Sequence, residues 1–597
     1  MSQPSPQPGY FGADDAALFG WLHASVEAGA LGLVVCNPFG FEEVCAHRSL
    51  RHIAEAASAA GVPSLRFDYA GCGNSQGDEF DPETAAKWVH SVHQAIDALK
   101  AATGVHRVVL LGVRLGALLA SLAAAERDDV AGLVAIAPVV RGRSYIRELT
   151  ILGQTGAAPG DSGQGTLESA GFAMSRETAE FVARVDLRTL QKAPAPQVLI
   201  VQRDDLVTES DWEAALARQG AQVRVERWPG YAGMMADPQR AVVPGEIVAG
   251  VVAQLQRWSA QVGAAGDGPA PVQPLRRQLP LTVGGTPVVE LPVQVDTGTG
   301  SSLVGVLAMP AAAGVARQRR AVLMLNSGAV HEIGPNRLWV RLARQWAARG
   351  LVVLRVDIAG IGDSPARQGA EENVVYSPHA LQDVAAALDY LRDQAGADAC
   401  HLVGLCSGAY HSLKAAVAGQ PVESAVIINP LTYFWKQGTA LTDVKEYELE
   451  ELTAKFRGKV FTREPWLKLL RGNLDARLVA GVALRRAWGG VAPLLTEAAR
   501  FLRIPLRHNL ARELESAAAR GVRLQFVFAS HAPGFRLLHK QSGRAMQRLL
   551  ERQLASIDFV PDADHTFTRL EARERLIAVL DRLMLSAGAF SDAAHGR

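Results

Sequence analysis

The chain has 597 residues, 48% of them hydrophobic and 20% charged, which excludes a disordered chain and is too long for a single compact core. Lysine and arginine (61) nearly balance aspartate and glutamate (60), so no overall positive charge favours nucleic-acid binding. Five cysteines without CxxC spacing argue against a disulfide framework and a zinc site, and they favour a reducing, cytoplasmic location.

The N-terminal segment and the most apolar stretch show no membrane or export signal. MSQPSPQPGYFGADD lacks a basic start followed by an apolar run, so we expect no secretory signal. The apolar stretch 108–125 carries Arg114 in its middle, which favours a strand, a tight turn and a buried helix over a membrane span. No nucleotide or flavin signature is present, and we predict no metal and no cofactor.

The sequence contains an internal repeat. FDYAGCGNSQG recurs as VDIAGIGDSPA, and NPFGFE recurs as NSGAVHE, both 289 residues later. GVRLGA recurs as GLCSGA after 292 residues. Three matches in the same order indicate two copies of one domain. We place the copies at 8–259 and 277–590, joined by a Gly/Pro/Ala-rich linker at 260–276.

Apolar strands alternate with amphipathic helices in the second copy. This alternation predicts an α/β fold with a doubly wound, mostly parallel sheet in each copy. In chain order, the predicted strands are 321–326, 351–357, 400–405, 522–528 and 555–560, and the predicted helices are 337–350, 380–396 and 571–585.

A strand that runs into G-x-X-x-G and then into a helix of small residues is typical of a nucleophile elbow. The second copy has this pattern in CHLVGLCSGAYHSLKAA, with Cys406 at the centre. The first copy has it in HRVVLLGVRLGALLASLAA, with Arg114 at the centre. The DxxGxGxS motif that starts at Asp357 makes the pattern in the second copy more specific.

With these motifs the chain resembles a tandem protein of the α/β-hydrolase fold, in the serine aminopeptidase and lysophospholipase-like branch. NPFGFEE, RFDYAGCGNSQG and LRVDIAGIGDS carry the resemblance, which covers both copies. It is similar to hydrolases of bacterial exopolysaccharide and exosortase gene neighbourhoods. The resemblance implies a nucleophile at the elbow, an acid after the sixth strand and a histidine after the last strand.

Carried onto this sequence, the resemblance gives an incomplete catalytic set. Cys406 takes the place of the nucleophile, and His565 in PDADHTF takes the place of the histidine. The acid is expected in the loop after VRLQFVF, where Ala532 stands instead. The acid is therefore absent, or it comes from elsewhere; Asp562 and Asp564 are close in sequence to His565 but lie on the histidine loop itself. An ordinary Ser-His-Asp mechanism is excluded, and we expect a Cys-His pair. A helix N-terminus and an adjacent imidazolium should lower the thiol pKa into the neutral range.

The predicted oxyanion donors are backbone N–H groups. One belongs to Ser407, which follows the nucleophile, and the other to Ser327 or Gly328 in the turn after AVLMLN. We expect the Ser407 side chain to point away from the direction of attack.

The first copy lacks two catalytic parts. Arg114 is no nucleophile, and the last-strand loop 228–238 contains no histidine. Asp204 or Asp205 remains as a vestigial acid. We therefore interpret the first copy as a pseudo-hydrolase. Arg114 is then either a salt-bridge residue, with Asp204 or Asp205 as the candidate partner, or an anion-binding group in a non-catalytic ligand site.

A long insertion at about 431–515 occupies the position of a helical cap. Its segment 466–512 has nine Lys/Arg and two Asp/Glu. This charge is either a solvated helix face, balanced by the acidic segment 443–452, or a surface for an anionic partner. Such a partner would be an acyl carrier, a coenzyme A ester or a lipid surface.

The leading functional hypothesis is an acyl ester or thioester hydrolase, or an acyltransferase, that uses Cys406 and His565. The alternative is a non-catalytic scaffold or binding protein in envelope polysaccharide or lipid biosynthesis. The missing acid at Ala532 favours the alternative, and the retained Cys406 and His565 favour the enzyme.

Overall fold

The computed structural model describes most of the chain. It describes residues 4–26, 29–155, 166–206, 211–262, 273–312, 315, 317–436, 508–530 and 532–585. Of the predicted linker, residues 263–272 lie outside the described residues, and so do residues 437–507 of the predicted cap.

The first repeat forms an eight-stranded sheet in the order β1-β2-β4-β3-β5-β6-β9-β10, and β7 and β8 form a separate hairpin. The sheet is parallel from β4 through β10, and its central strands are buried along their length because helices cover both faces. The strands are β1 (Gln7–Phe11), β2 (Leu18–His23), β3 (Leu31–Cys36), β4 (Ser64–Phe67), β5 (Arg107–Val113), β6 (Val130–Ile136), β7 (Leu167–Ser169), β8 (Phe172–Met174), β9 (Gln197–Val201) and β10 (Gln222–Glu226).

Helices pack on both faces of this sheet. Along β5, Val108 and Leu110 face a core shared with α2 and α3, whereas Val109 and Leu111 face a core shared with α1 and α8. The doubly wound prediction is therefore confirmed for this repeat. The helices are α1 (Phe41–Ala59), α2 (Thr84–Thr103), α3 (Leu115–Ala125), α4 (Gly142–Thr155), α5 (Arg176–Arg184), α6 (Trp212–Arg218), α7 (Tyr231–Met234) and α8 (Gly245–Val262).

The second repeat forms a nine-stranded sheet in the order β11-β12-β13-β15-β14-β16-β17-β18-β19. The strands are β11 (Leu279–Val283), β12 (Thr286–Asp296), β13 (Ser302–Pro310), β14 (Arg320–Met324), β15 (Val352–Val356), β16 (Ala399–Leu405), β17 (Ser424–Ile428), β18 (Arg523–Ala529) and β19 (Ala555–Val560). Apart from one additional antiparallel strand at the edge, β11, the order and the antiparallel start of this sheet repeat those of the first sheet.

The predicted helices of the second repeat are also present. Each predicted segment coincides with a helix to within a few residues, because its apolar period of 3.6 marks the face that the sheet buries. The helices are α9 (Leu338–Ala347), α10 (Ala380–Asp393), α11 (Ser407–Ala418), α12 (Leu510–Ala519), α13 (Pro533–Ser542), α14 (Arg544–Glu551) and α15 (Leu570–Leu585).

Packing divides the chain into two compact units that differ from the two repeats. Unit 1 comprises Met1–Ala321, Gly328–Val375 and Thr568–Leu570. Unit 2 comprises Val322–Ser327, Tyr376–Phe567 and Glu571–Arg597. Unit 1 therefore contains the whole first repeat and part of the second, whereas Cys406 and His565 belong to unit 2.

Candidate active site

Cys406 stands between β16 and α11 in a sharp turn. Its φ of 59° and ψ of −112° are unusual for a residue with a side chain and cost about 1–3 kcal/mol. The flanking glycines permit the turn, because a Cβ at Gly404 would lie 2.1 Å from the carbonyl carbon of Gly408. The structure thus places Cys406 at the start of a helix, as the elbow pattern predicts.

The turn after β14 lies against this elbow. A Cβ at Gly408 would approach the Asn326 carbonyl oxygen to 2.6 Å, and Ser407 Oγ donates to the same oxygen over 3.4 Å. The Ser407 hydroxyl is therefore directed to the turn. Ser327 is buried and belongs to unit 2, with Cys406, whereas Gly328 belongs to unit 1 and has a φ of 63°. Their roles as oxyanion donors remain predictions.

His565 lies in the loop between β19 and α15. Asn429 holds this loop, because its Nδ2 donates to the His565 carbonyl oxygen over 2.8 Å while its Oδ1 accepts from the Ala529 N–H over 2.9 Å. Nε2 of His565 is buried and has no hydrogen-bond partner among the residues that the structure describes. Burial lowers the pKa of His565 to about 4, and the Asp564 carboxylate only partly opposes this shift.

The thiol differs from the expectation. Burial raises the pKa of Cys406 to about 12, although the Ser407 N–H opposes the shift. Within the described residues no hydrogen bond joins Cys406 to His565, whose imidazole is neutral at neutral pH. The expected lowering of the thiol pKa is therefore wrong for this state, because no imidazolium stands beside the sulfur to offset its desolvation.

The first repeat keeps the elbow without a nucleophile. Arg114 has a φ of 52° and a ψ of −118°, close to the values at Cys406. Its Nε and Nη2 atoms form 2.7 Å ion pairs with Glu42 and Glu148. Burial alone would lower the pKa of Arg114, but these carboxylates hold it above its ordinary value.

The expected pairing of Arg114 with the vestigial acid is wrong. Asp204 accepts from the Gly230 N–H over 2.6 Å, and Asp205 pairs with Arg203 over 2.8 Å. Asp204 thus links the loop after β9 to the loop after β10, which contains no histidine. Glu42 pairs with Arg114 instead. It lies in the first turn of α1, and the pairing of β3 with β5 brings the loop after β3 beside the elbow.

Two family models match the sequence, one in each repeat. Residues 40–159 match the serine aminopeptidase, S33 family, and residues 322–579 match the alpha/beta hydrolase family. The chain is a tandem α/β-hydrolase-like protein. The strand orders of both sheets and both elbows agree with this assignment.

Three solved structures that are similar to this α/β-hydrolase-like protein each correspond to less than half of it. Ferulic-acid-bound Est1E from Butyrivibrio proteoclasticus is 20% identical, and the match covers 42% of this chain and 98% of that chain with a TM-score of 0.34. An alpha-beta serine hydrolase homologue from Coxiella burnetii is 15% identical, with coverage of 43% and 100% and a TM-score of 0.29. Mouse alpha/beta hydrolase domain-containing protein 10 is 14% identical, with coverage of 43% and 100% and a TM-score of 0.32. No curated protein matches the sequence.

The acid position of the second hydrolase-like domain carries no carboxylate. Ala532 follows β18 and caps α13 without a side-chain hydrogen bond. On the histidine loop, Asp562 pairs with Arg575 over 3.6 Å, and Asp564 is exposed. The absence of a catalytic acid from the second domain stays a prediction.

An aromatic cluster lies beside the Cys406 elbow. Tyr376 stacks on Trp435 with ring centroids 4.1 Å apart and meets Tyr410 edge-on at 5.2 Å. Tyr410 lies in the first turn of α11 and donates its N–H to the Cys406 carbonyl oxygen. Burial is the main cause of the raised pKa of Tyr376, and Cys406 lies close enough to add to this shift. These rings form an aromatic surface beside the turn that carries Cys406.

Sequence reasoning missed these aromatic residues and Asn429. The aromatic residues are distant in sequence, so no local motif connects them. Asn429 had a weak signal, because an Asn-Pro pair directly after a buried strand is typical of a turn at positive φ, and its φ is 44°. None of the helices in the described part of the chain combines the length and the apolar composition of a membrane span.

Proposed function

We propose that the second domain is an acyl ester or thioester hydrolase, or an acyltransferase, with Cys406 as the nucleophile and His565 as the base. The observation that carries the proposal is the backbone at Cys406, a strained turn at a helix N-terminus. Supporting it, the loop after the last strand supplies a neutral imidazole whose Nε2 is buried and without a partner among the described residues. The first domain is then a pseudo-hydrolase.

In the proposed reaction the Cys406 sulfur attacks the acyl carbonyl carbon while its proton passes to His565. The N–H groups of Ser407 and of Ser327 or Gly328 stabilise the oxyanion. The carbon–oxygen or carbon–sulfur bond to the leaving group then breaks, and His565 returns the proton to that alcohol or thiol. Water, or an acceptor hydroxyl or thiol, next attacks the thioester on Cys406, which regenerates the free thiol.

The protonation states favour general-base catalysis over a preformed ion pair. The pKa of the thiol is raised to about 12 and that of the imidazole is lowered to about 4, so both groups are neutral near pH 7. A neutral imidazole accepts a proton as attack proceeds, and it must approach the sulfur on substrate binding.

The substrate is proposed from the surroundings of the thiol. The Tyr376, Tyr410 and Trp435 rings suit an apolar acyl group. An acyl carrier or coenzyme A link, or a peripheral membrane contact, depends on the basic segment 466–512, of which 466–507 lie outside the described residues. All five cysteines are free, which fits a reducing compartment, so we place the activity in the cytoplasm.

The test measures release of the alcohol or thiol from short p-nitrophenyl esters and from acyl thioesters by the parent and by Cys406→Ala. The matched control is Cys400→Ala, which removes a buried thiol from β16, the strand that leads into the elbow. Mass spectrometry after rapid acid quenching detects an acyl group on the peptide that contains Cys406. Equal rates for the parent and Cys406→Ala, both folded, would exclude the enzyme hypothesis.

The second candidate function is a non-catalytic scaffold or binding protein in envelope polysaccharide or lipid biosynthesis. The absence of a hydrogen bond between Cys406 and His565 in the described residues, together with Ala532 at the acid position, favours it. It predicts no acyl-enzyme with any ester or thioester, and an unchanged level of partner capture by Cys406→Ala.

A further inference from the structure

Within unit 1, an arginine of each repeat donates a hydrogen bond to a side chain of the other repeat. Arg66 Nη2 donates to Asp363 Oδ1 over 2.7 Å, and Arg355 Nη1 donates to Asn74 Oδ1 over 2.7 Å. Arg355 is the repeat equivalent of Arg66, and Asp363 is that of Asn74, both 289 residues later. The two hydrogen bonds therefore join equivalent positions in opposite directions, but Arg355 donates to a neutral amide and Arg66 to a carboxylate.

The two repeats also differ in the surroundings of an equivalent pair of glutamates, Glu43 and Glu332. Glu43 receives a hydrogen bond from His47 over 3.2 Å, and the same imidazole bonds to Asp363 over 3.1 Å. The equivalents of Glu43 and His47 are Glu332 and Asn336, so no imidazole follows Glu332 at the same spacing.

Glu332 is only half satisfied. Its Oε1 accepts from Asn74 Nδ2 over 2.5 Å. Its Oε2 is buried and has neither a hydrogen-bond partner nor an ion-pair partner among the described residues, although the residue is only 4% exposed. A buried charged oxygen without a partner is costly, so its persistence points to a ligand.

Two further carboxylates lie around Glu332. One oxygen each of Glu332, Asp357 and Asp363 lie within 4.8 Å of one another. Asp357 is fully buried and Asp363 is 9% exposed. Arg66 and His47 pair with Asp363, but no cation pairs with Glu332 in the described part of the chain, so a buried negative charge remains beside two further carboxylates.

We propose that Glu332, Asp357 and Asp363 bind a hard divalent cation, for which Ca²⁺ fits best. Three carboxylate oxygens are the donors that Ca²⁺, Mg²⁺ and Mn²⁺ prefer, whereas Zn²⁺ and Cu²⁺ favour nitrogen and sulfur. A Ca–O bond of about 2.4 Å allows ligand oxygens up to about 4.8 Å apart, and the coordination of Ca²⁺ is flexible. Asp363 keeps its bonds to Arg66 and His47, because each carboxylate oxygen has two lone pairs.

The ion would be structural. Glu332 and Asp363 contact Asn74 and Arg66 of the first repeat, so binding stabilises the packing of 328–375 against the first repeat within unit 1. This site is independent of Cys406 and of any acyl chemistry.

The test uses the full chain after EDTA treatment and gel filtration. We expect added Ca²⁺ to raise the thermal unfolding midpoint by about 3 °C or more, with about one ion per chain by elemental analysis. Glu332→Gln keeps an oxygen for Asn74 but removes the charge, so it should lose the Ca²⁺-dependent rise. Glu371→Gln, at an exposed carboxylate in the same unit, should keep the rise.

Parallel titrations with Mg²⁺, Mn²⁺ and Zn²⁺ test the class of ion. Binding of Zn²⁺ alone would overturn the proposal of a hard cation. No shift with any ion, together with a parent that holds less than about 0.1 ion per chain, would overturn the site, whether or not Glu332→Gln folds. Metal-independent stabilisation as the pH falls from 8 to 6 would accompany that result if the carboxylates share protons instead.

Discussion

Asn429 is expected to be the residue that couples the stability of unit 2 to the placement of His565. Asn429→Ala removes the bond to the His565 carbonyl and the bond from the Ala529 N–H, each worth about 1 kcal/mol. The φ of 44° adds about 1 kcal/mol for an alanine. The free energy of unfolding should therefore fall by about 3 kcal/mol. Asn429→Gly avoids the backbone cost and should lose about 2 kcal/mol.

The assay is urea unfolding followed by tryptophan fluorescence, combined with hydrolysis of a p-nitrophenyl ester. Both variants should lose most of the activity because the histidine loop is no longer held. The matched control is Asn373→Ala, which has a φ of 65° and one side-chain bond to the Pro238 carbonyl but belongs to unit 1. It should lose stability and keep activity. A loss below about 1 kcal/mol for Asn429→Ala, or equal losses for alanine and glycine, would refute the reasoning.

Three further predictions concern the elbows and the histidine loop. Because the pKa of His565 falls from 6.5 to about 4 on folding, its contribution to stability is present above about pH 6.5 and is lost as the pH falls toward 4; His565→Gln should flatten urea-measured stability in this window. Arg114→Ala should lower the free energy of unfolding by about 1–3 kcal/mol, because its carboxylate partners are only partly buried, and should leave ester hydrolysis intact. A loss of activity as complete as that of Cys406→Ala in a folded protein would contradict the assignment of the active domain. Cys406→Ser should be much less active in ester hydrolysis than the parent, and adding Ala532→Asp should recover part of the loss. Ala532→Asp alone should cap α13 and so raise the free energy of unfolding in urea by about 1 kcal/mol. No gain in stability would argue against that cap.

Local patterns predicted the architecture around the elbows. The glycines that flank Cys406 and Arg114 have no room for a Cβ, so the motif and the turn require each other. The sequence also predicted that His565 lies in the loop after the last strand, and it follows β19 in the structure. These features depend on neighbouring residues and on strand order, which alternating apolar segments specify.

The electrostatic environment was not predictable in this way. The sequence shows a thiol at a helix N-terminus, but the raised pKa of Cys406 depends on burial among side chains from several elements. Likewise, the choice of Glu42 and Glu148 as partners for Arg114, over Asp204, depends on which loops the sheet brings together.

The sequence by itself determined two α/β sheets, each with a strand-to-helix elbow, because these follow from short segments and their order. Only the tertiary structure decided the burial that shifts the pKa values of Cys406 and His565, and the hydrogen bonds between the two repeats. Asn74 and Glu332 are 258 residues apart in the chain, and their hydrogen bond exists only because folding buries them together. Desolvation and long-range pairing are properties of the packed interior, and no local pattern encodes them.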